Sequence, residues 1–381
     1  MTSALAAVLV LTPTAALAHA VLVSSSPSDG ALLPAAPGHV TLHFNQQVQP
    51  VGGGILVTAP SGRPANRGAA HAAGSVLDAE LDARQQGTYL VRWQVIAQDA
   101  HPSVGQLTFS VGRRSPVATA VTSTGGGPGE LLQALGRWLH FLGLALGFGS
   151  VAYGVLVLRE ANATQRRSLD RLTMSGAILM LAAEPVTLAG ASLALEVSPG
   201  DLVVSTFGLA SSLQLGGALL LWSALGALSA AGQGRRATAL SAILALGAGV
   251  VLADQLSGHR LADAPALAAV VLEGMHECSM VVWAGGIAAW LVTRAGGARF
   301  LSVAVLSLAV LVPSGVALAF AHLRGPADLV STSYGEVLSV KILVVGAALA
   351  LAVVGIRRAE ALAVAAVLAL AALLMSLPPP V

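Results

Sequence analysis

Three side chains close to the N-terminal end have the types and spacing to hold a metal ion: His19, Asp99 and His101. Cleavage of the chain after Ala18 would give His19 two nitrogens in one chelate, its free α-amine and its ring Nδ1. Asp99 and His101 stand at i and i+2 just beyond a predicted strand, so both can point the same way. The set is three nitrogens and one carboxylate oxygen. Tetragonal N/O coordination suits Cu(II), which the Irving–Williams order also favours over other divalent ions. Zinc, which prefers a tetrahedron, fits less well. Residues 19–129 contain no Met and no Cys, so they lack the soft donors that hold Cu(I). One Cu(II) site and no second Cu(I) site is therefore expected there. His39 and His43 share the strand face opposite Val40, Leu42 and Phe44 and read as solvated residues, as does His71 in a polar stretch.

A second group of titratable residues interrupts apolar runs: His140, Glu184, Glu273, His276, Glu277, His322 and Lys341. Ionisable groups inside a membrane helix are costly and usually functional. Glu273, His276 and Glu277 are spaced i, i+3, i+4, which places them on one helix face. Met280 follows His276 by four residues, and Met180 precedes Glu184 by four. Imidazole, carboxylate and thioether donors are thus expected around an outward-facing cavity, with Lys341 as a counter-ion. Cys278 and Met275 are expected to pack against lipid or core.

The elements that must position these residues fall into two parts. Residues 19–112 show short alternating segments, notably His39–Phe44, Gly54–Thr58, Thr88–Ile96 and Val104–Val111, broken by turns such as Pro27-Ser28-Asp29-Gly30. Period-two patterning of this kind predicts a small antiparallel β-sandwich. Residues 113–129, rich in Ser, Thr, Gly and Pro, read as a linker. Beyond them lie eight apolar runs, at 130–158, 168–192, 207–231, 236–254, 264–292, 297–322, 335–356 and 359–377, each near the length of a spanning helix. The 381-residue chain is 55% hydrophobic and only 10% charged, with mean hydropathy +0.78, and most of it therefore belongs in a lipid bilayer.

Arginines sit in alternate connections, among them Arg166, Arg167, Arg235, Arg236, Arg357 and Arg358, whereas Glu196, Asp201, Asp254, Asp263 and Asp328 fall in the opposite ones. The positive-inside rule puts both ends of the helical part outside a bacterial inner membrane, with the β-domain extracytoplasmic. Residues 1–18 read as a signal peptide, with an apolar core at Ala4–Leu11 and Ala16-Leu17-Ala18 ahead of the cut, although no Lys or Arg precedes that core. The single cysteine excludes a disulfide framework and Cys-based zinc or iron–sulfur sites. No phosphate-binding G-x-x-x-x-G-K-[ST] loop occurs, and no basic run on an aromatic-rich face points to nucleic acid.

His19-Ala20, Ser26-Pro27-Ser28-Asp29-Gly30, Val40–Phe44 and Gln98-Asp99-Ala100-His101-Pro102-Ser103-Val104-Gly105 resemble the CopC family of extracytoplasmic copper proteins. That resemblance implies a cupredoxin-like or immunoglobulin-like sandwich with Cu(II) on His19, Asp99 and His101. Glu273-Gly274-Met275-His276-Glu277 running into Trp283-Ala284-Gly285-Gly286, then Pro313-Ser314-Gly315, Ser333-Tyr334-Gly335 and Lys341, resemble the CopD family of copper-resistance membrane proteins. A CopC domain followed by a CopD domain is similar to copper-acquisition proteins of the YcnJ type. The expected function is capture of Cu(II) outside the cell and passage of copper to or across the membrane, without an enzymatic step. Reduction to Cu(I) within the membrane domain stays open, and extracytoplasmic copper chaperones are candidate partners. A haem-bearing electron-transfer protein or metal reductase is the alternative, since histidines on separate helices can ligate haem. A copper enzyme with a chelating N-terminal histidine is a third reading.

Overall fold

A computed structural model describes residues 20–97, 102–116, 127–158, 160–230, 233–256 and 264–377. His19, Asp99 and His101 lie outside the described residues.

The N-terminal part folds into eight strands: β1 (Leu22–Ser26), β2 (Ala31–Leu33), β3 (His39–Phe44), β4 (Val48–Thr58), β5 (His71–Ala73), β6 (Val76–Glu80), β7 (Gly87–Ala97) and β8 (Pro102–Val111). They form two four-stranded sheets, in the orders β1-β3-β6-β5 and β2-β8-β7-β4. The expected sandwich is present. One pairing departs from the antiparallel expectation, because β2 runs parallel to β8. Alternation drives the packing: in β3, Val40, Leu42 and Phe44 are buried while His39 and His43 face solvent. The two sheets close over Leu42, Leu77, Tyr89, Val91 and Phe109, with the Tyr89 and Phe109 rings stacked at 5.0 Å. His71, expected in a loop, opens the short edge strand β5 and is exposed. The His39 ring Nδ1 lies 2.9 Å from Asp78 Oδ2 on the neighbouring strand. Partial burial pushes the Asp78 carboxyl up, but the Thr41 hydroxyl and the His39 ring outweigh it and hold Asp78 below the usual aspartate value.

The rest is helical: α1 (Pro128–Leu144) runs through a π-turn (Ala145–Gly149) into α2 (Ser150–Leu156). There follow α3 (Ala163–Leu195), α4 (Pro199–Val203), α5 (Thr206–Ala230), α6 (Gln233–Leu256), α7 (Ala264–Thr293), α8 (Gly297–His322), α9 (Asp328–Ser331), α10 (Ser333–Val354) and α11 (Arg357–Leu374). Each of the eight apolar runs is a helix. Among the described residues, seven helices are long and apolar enough to cross a membrane; α11, with 18 residues and opening on Arg357, Arg358 and Glu360, is not among them. Apolar side chains such as Phe320, Leu343 and Val353 stand exposed on α8 and α10, as a lipid-facing surface requires.

Helices α1 and α3 approach closely along a stripe of small residues. Gly129, Gly136 and Gly143 repeat every seven residues on α1 and meet Gly190, Ala183 and Gly176 on α3. A Cβ on Gly136 would come within 2.8 Å of the Thr187 backbone nitrogen. Small residues at such a seam let helix backbones touch. The seam also sets His140, on α1, beside Glu184, on α3.

Candidate metal centre

His140 stands at the meeting point of five helices. Its Nε2 lies 3.1 Å from Asp254 Oδ2 on α6, and its Nδ1 lies 3.5 Å from Glu184 Oε1 on α3. Glu277 on α7 completes the group: one donor atom each from His140, Asp254 and Glu277 lie within 4.8 Å of one another. Two amides brace the carboxylates. Gln214 Nε2 on α5 donates to Asp254 Oδ1 at 2.9 Å, and Gln255 Nε2 donates to Glu277 Oε2 at 2.6 Å. The side chains of His140, Glu184 and Asp254 are only 7%, 6% and 11% exposed. His140 Nδ1, Glu184 Oε2 and Glu277 Oε1 have no hydrogen-bond partner among the described residues, a costly condition for buried polar atoms. One imidazole and three carboxylates, held on rigid helices away from bulk water, are hard nitrogen and oxygen donors.

The expected membrane group does not stay together. His140, Glu184 and Glu277 come together. His276, one residue from Glu277 and so about 100° around the helix, turns instead to α8, where its Nδ1 lies 3.0 Å from Ser314 Oγ. Gly315 leaves room for that ring, since a Cβ there would stand 2.9 Å from His276 Cε1. Lys341 and Glu273 interact electrostatically with His276, and Glu273 also with Glu277. His322 Nδ1 turns back to the Leu318 carbonyl oxygen of its own helix at 2.7 Å. The thioethers are not part of the centre: Met180 is buried in an apolar cluster with Leu144 and Phe148, and Met280 packs against the same cluster.

Asp254 is the residue that sequence reasoning missed. It closes the apolar run 236–254 and reads there as an outer-loop charge. The helix continues through it to Leu256, which carries its carboxylate into the bundle. The signal available was Gln214, an amide in the middle of another apolar run that needs a buried partner.

The β-domain rests on the helical part. Val51 of β4 and Ile96 of β7 pack with Ala191, Leu195, Val197, Leu202 and Phe207 from the end of α3 through the start of α5. Ile96 breaks the alternation of its strand because this second face is covered. A bulge in β4 between Pro50 and Ile55 carries Gly52, Gly53 and Gly54 at φ of 60°, 92° and 75°. Only glycine adopts that run without strain, and a Cβ at Gly52 would stand 2.7 Å from a Val197 methyl. The Thr206 backbone nitrogen donates to Gln49 Oε1 at 3.1 Å, and its hydroxyl donates to the Ala97 carbonyl oxygen at 3.5 Å. Near the start of the domain, Ser103 Oγ donates to the Ala20 carbonyl oxygen at 2.8 Å.

The CopC domain family matches residues 22–112. Over 103 residues the chain is 34% identical to "Copper resistance protein C" of Pseudomonas syringae pv. tomato, across 25% of this chain and 81% of that protein. The chain belongs to the CopC family. Beyond the CopC domain, similarity continues into the helices: the chain is 26% identical over 368 residues to "Copper transport protein CutJ" of Bacillus subtilis (strain 168), across 87% of this chain. It spans 66% of the length of that relative. The helical region fits a CopD-like membrane domain. Among solved structures, CopC from Methylosinus trichosporium OB3b is 24% identical over 26% of this chain and 100% of its own, with a TM-score of 0.23. The residues that follow the CopC domain therefore supply the deeply buried histidine–carboxylate group, which the CopC match itself does not reach.

Proposed function

We propose that this is a copper-handling, multi-pass protein of the bacterial cell membrane. Its extracytoplasmic CopC domain captures Cu(II) through His19, Asp99 and His101, and the helical domain takes the metal onward. The division is a signal peptide at 1–18, the copper-binding sandwich at 19–112, a linker at 113–129 and the membrane domain at 130–377. His140, Glu184, Glu273, His276, Glu277 and His322 are the candidate path for the ion within the bundle.

The observation that carries this reading is the pairing of a CopC domain with a membrane bundle that brings His140, Asp254 and Glu277 together in its interior, the histidine and glutamate buried and the aspartate partly so. The names of the relatives, a copper transport protein and a copper resistance protein, support copper as the cargo. The Ser103–Ala20 hydrogen bond supports the chelate, because it ties the residue next to His19 to a residue two beyond His101. The seat of the β-domain supports transfer. Ala97, two residues before Asp99, bonds Thr206 at the start of α5, and Gln214 lies eight residues further along that helix, a rise of about 12 Å, on Asp254. Without a nucleotide-binding loop, the metal gradient, the membrane potential or a cytoplasmic sink drives movement. Extracytoplasmic copper chaperones are the expected donors. The principal membrane histidines face an aspartate and a serine, and no observation favours the haem-bearing alternative.

Mass spectrometry of the mature N-terminus, joined to Cu(II) titration of the purified full-length chain, tests the capture step. The expected protein begins at His19 and loses one Cu(II) equivalent on His101→Ala. A mature chain beginning elsewhere, or titration unchanged by that substitution, contradicts it.

A further inference from the structure

We propose that His140, Asp254 and Glu277 are the ligands of a divalent-metal site inside the membrane domain, which accepts copper as Cu(II) and not as Cu(I). The identity of the ion rests on the copper reading above; the site itself rests on the geometry.

Ligands at about 2.0–2.2 Å from a shared ion stand no more than about 4.4 Å apart. The three donor atoms already lie within 4.8 Å of one another, so side-chain shifts of under about 1 Å bring them to a common ion. The surroundings match what a bound metal demands of its ligands. Gln214 holds one oxygen of Asp254, and Gln255 holds one oxygen of Glu277, which leaves Glu277 Oε1 unpartnered. Glu184 Oε1 lies 3.5 Å from the second ring nitrogen of His140, on the side away from Asp254, where it orients the ring. His140 Nδ1, Glu184 Oε2 and Glu277 Oε1 lie unpartnered in a medium of low dielectric, where that is costly, and a divalent cation supplies the missing partner. The donors are an imidazole and carboxylates. The nearby thioethers of Met180 and Met280 pack among apolar side chains, and among the described residues the Cys278 thiol, though next to Glu277 in the chain, is not one of the grouped donors, so the group itself holds no soft ligand for Cu(I). Any reduction to Cu(I) therefore follows passage through this site.

Electron paramagnetic resonance of the full-length protein in detergent counts Cu(II) directly. Two bound equivalents are expected. Glu277→Gln and Asp254→Asn, which preserve shape, each remove one equivalent and leave the one that His101→Ala removes, while an unchanged helical circular dichroism spectrum and unfolding midpoint report that the membrane domain of each variant folds. Glu184→Gln keeps both but weakens the membrane equivalent by about 10–100-fold, as loss of an orienting partner does. Under reductant, Cu(I) binding is the same in wild type and Glu277→Gln. A single equivalent, abolished by His101→Ala alone, overturns the membrane site and leaves the capture reading standing. A single equivalent abolished by Glu277→Gln and indifferent to His101→Ala upholds the site and overturns capture. Cu(I) binding lost in Glu277→Gln overturns the oxidation-state assignment.

Discussion

His140 Nε2 and Asp254 Oδ2 lie 3.1 Å apart although 114 residues separate them in the chain. That contact joins the first span to the fourth deep in the bundle, and it sets the first expected outcome. Removing one partner of a buried ion pair leaves the other charge uncompensated, at about 3–5 kcal/mol. His140→Ala should therefore lower the unfolding midpoint of the purified protein sharply. Adding Asp254→Asn should cost less than the sum of the single changes, by about 0.5–3 kcal/mol. Thermal unfolding of the four proteins of the cycle in detergent measures this, and strict additivity would show that the two side chains do not interact.

The seam between α1 and α3 carries the second. Gly136→Val places branched atoms against the Thr187 backbone nitrogen, which cannot move aside as a side chain can. Overpacking of this kind costs about 1–3 kcal/mol or more. It should also separate His140 from Glu184 and weaken metal binding in the membrane domain. Gly216→Ala, with nothing within 4 Å of the added carbon, is the control and should be neutral. Equal unfolding midpoints for Gly136→Val and Gly216→Ala would contradict the close approach.

Much of this arrangement was readable from the chain, and the reasons for the remainder are physical. Val40, Leu42 and Phe44 alternate cleanly because one face of β3 is buried and the other wet, so that strand was legible. The short strands β2 and β5, of three residues each, hold too few side chains to show a period. Apolar runs announced every long helix, but not which neighbours each helix would meet. Spacing alone therefore grouped His276 with Glu277, whereas packing sends one to α8 and the other toward α1 and α6. Asp254 looked like a loop residue because hydropathy ends a run at a charge, while the backbone helix continues past it.

The junction between the two parts gives a third expected outcome. Phe207 and Val197 are 5% and 8% exposed and pack with Val51 and Ile96 across it. Phe207→Ala should loosen the seat by up to about 3–5 kcal/mol without unfolding the sandwich, whose own core is separate. Hydrogen exchange along β4 should then rise around Val51 and stay low around Val57. Unchanged exchange at Val51 would show that the two parts are not docked through this cluster.

Acidity should act on capture. An α-amine with an unperturbed pKa of about 7.7–8.0 and imidazoles near about 6.5 must be deprotonated to bind a metal. Affinity of the CopC domain for Cu(II) should therefore fall as pH drops from 8, and more steeply below about 6.5 as the imidazoles protonate. Competition titrations between pH 5 and 8 check this, and a flat profile would argue against His19 and His101 as ligands.

The central claim is that copper caught by the CopC domain enters the membrane domain. The most direct measurement is the copper content of cells expressing the full-length protein under copper limitation, for wild type, His101→Ala and Glu277→Gln. Wild type should shift cellular copper relative to cells lacking the protein, and both variants should return it to that baseline at equal protein levels. A Glu277→Gln protein as effective as wild type would contradict the claim.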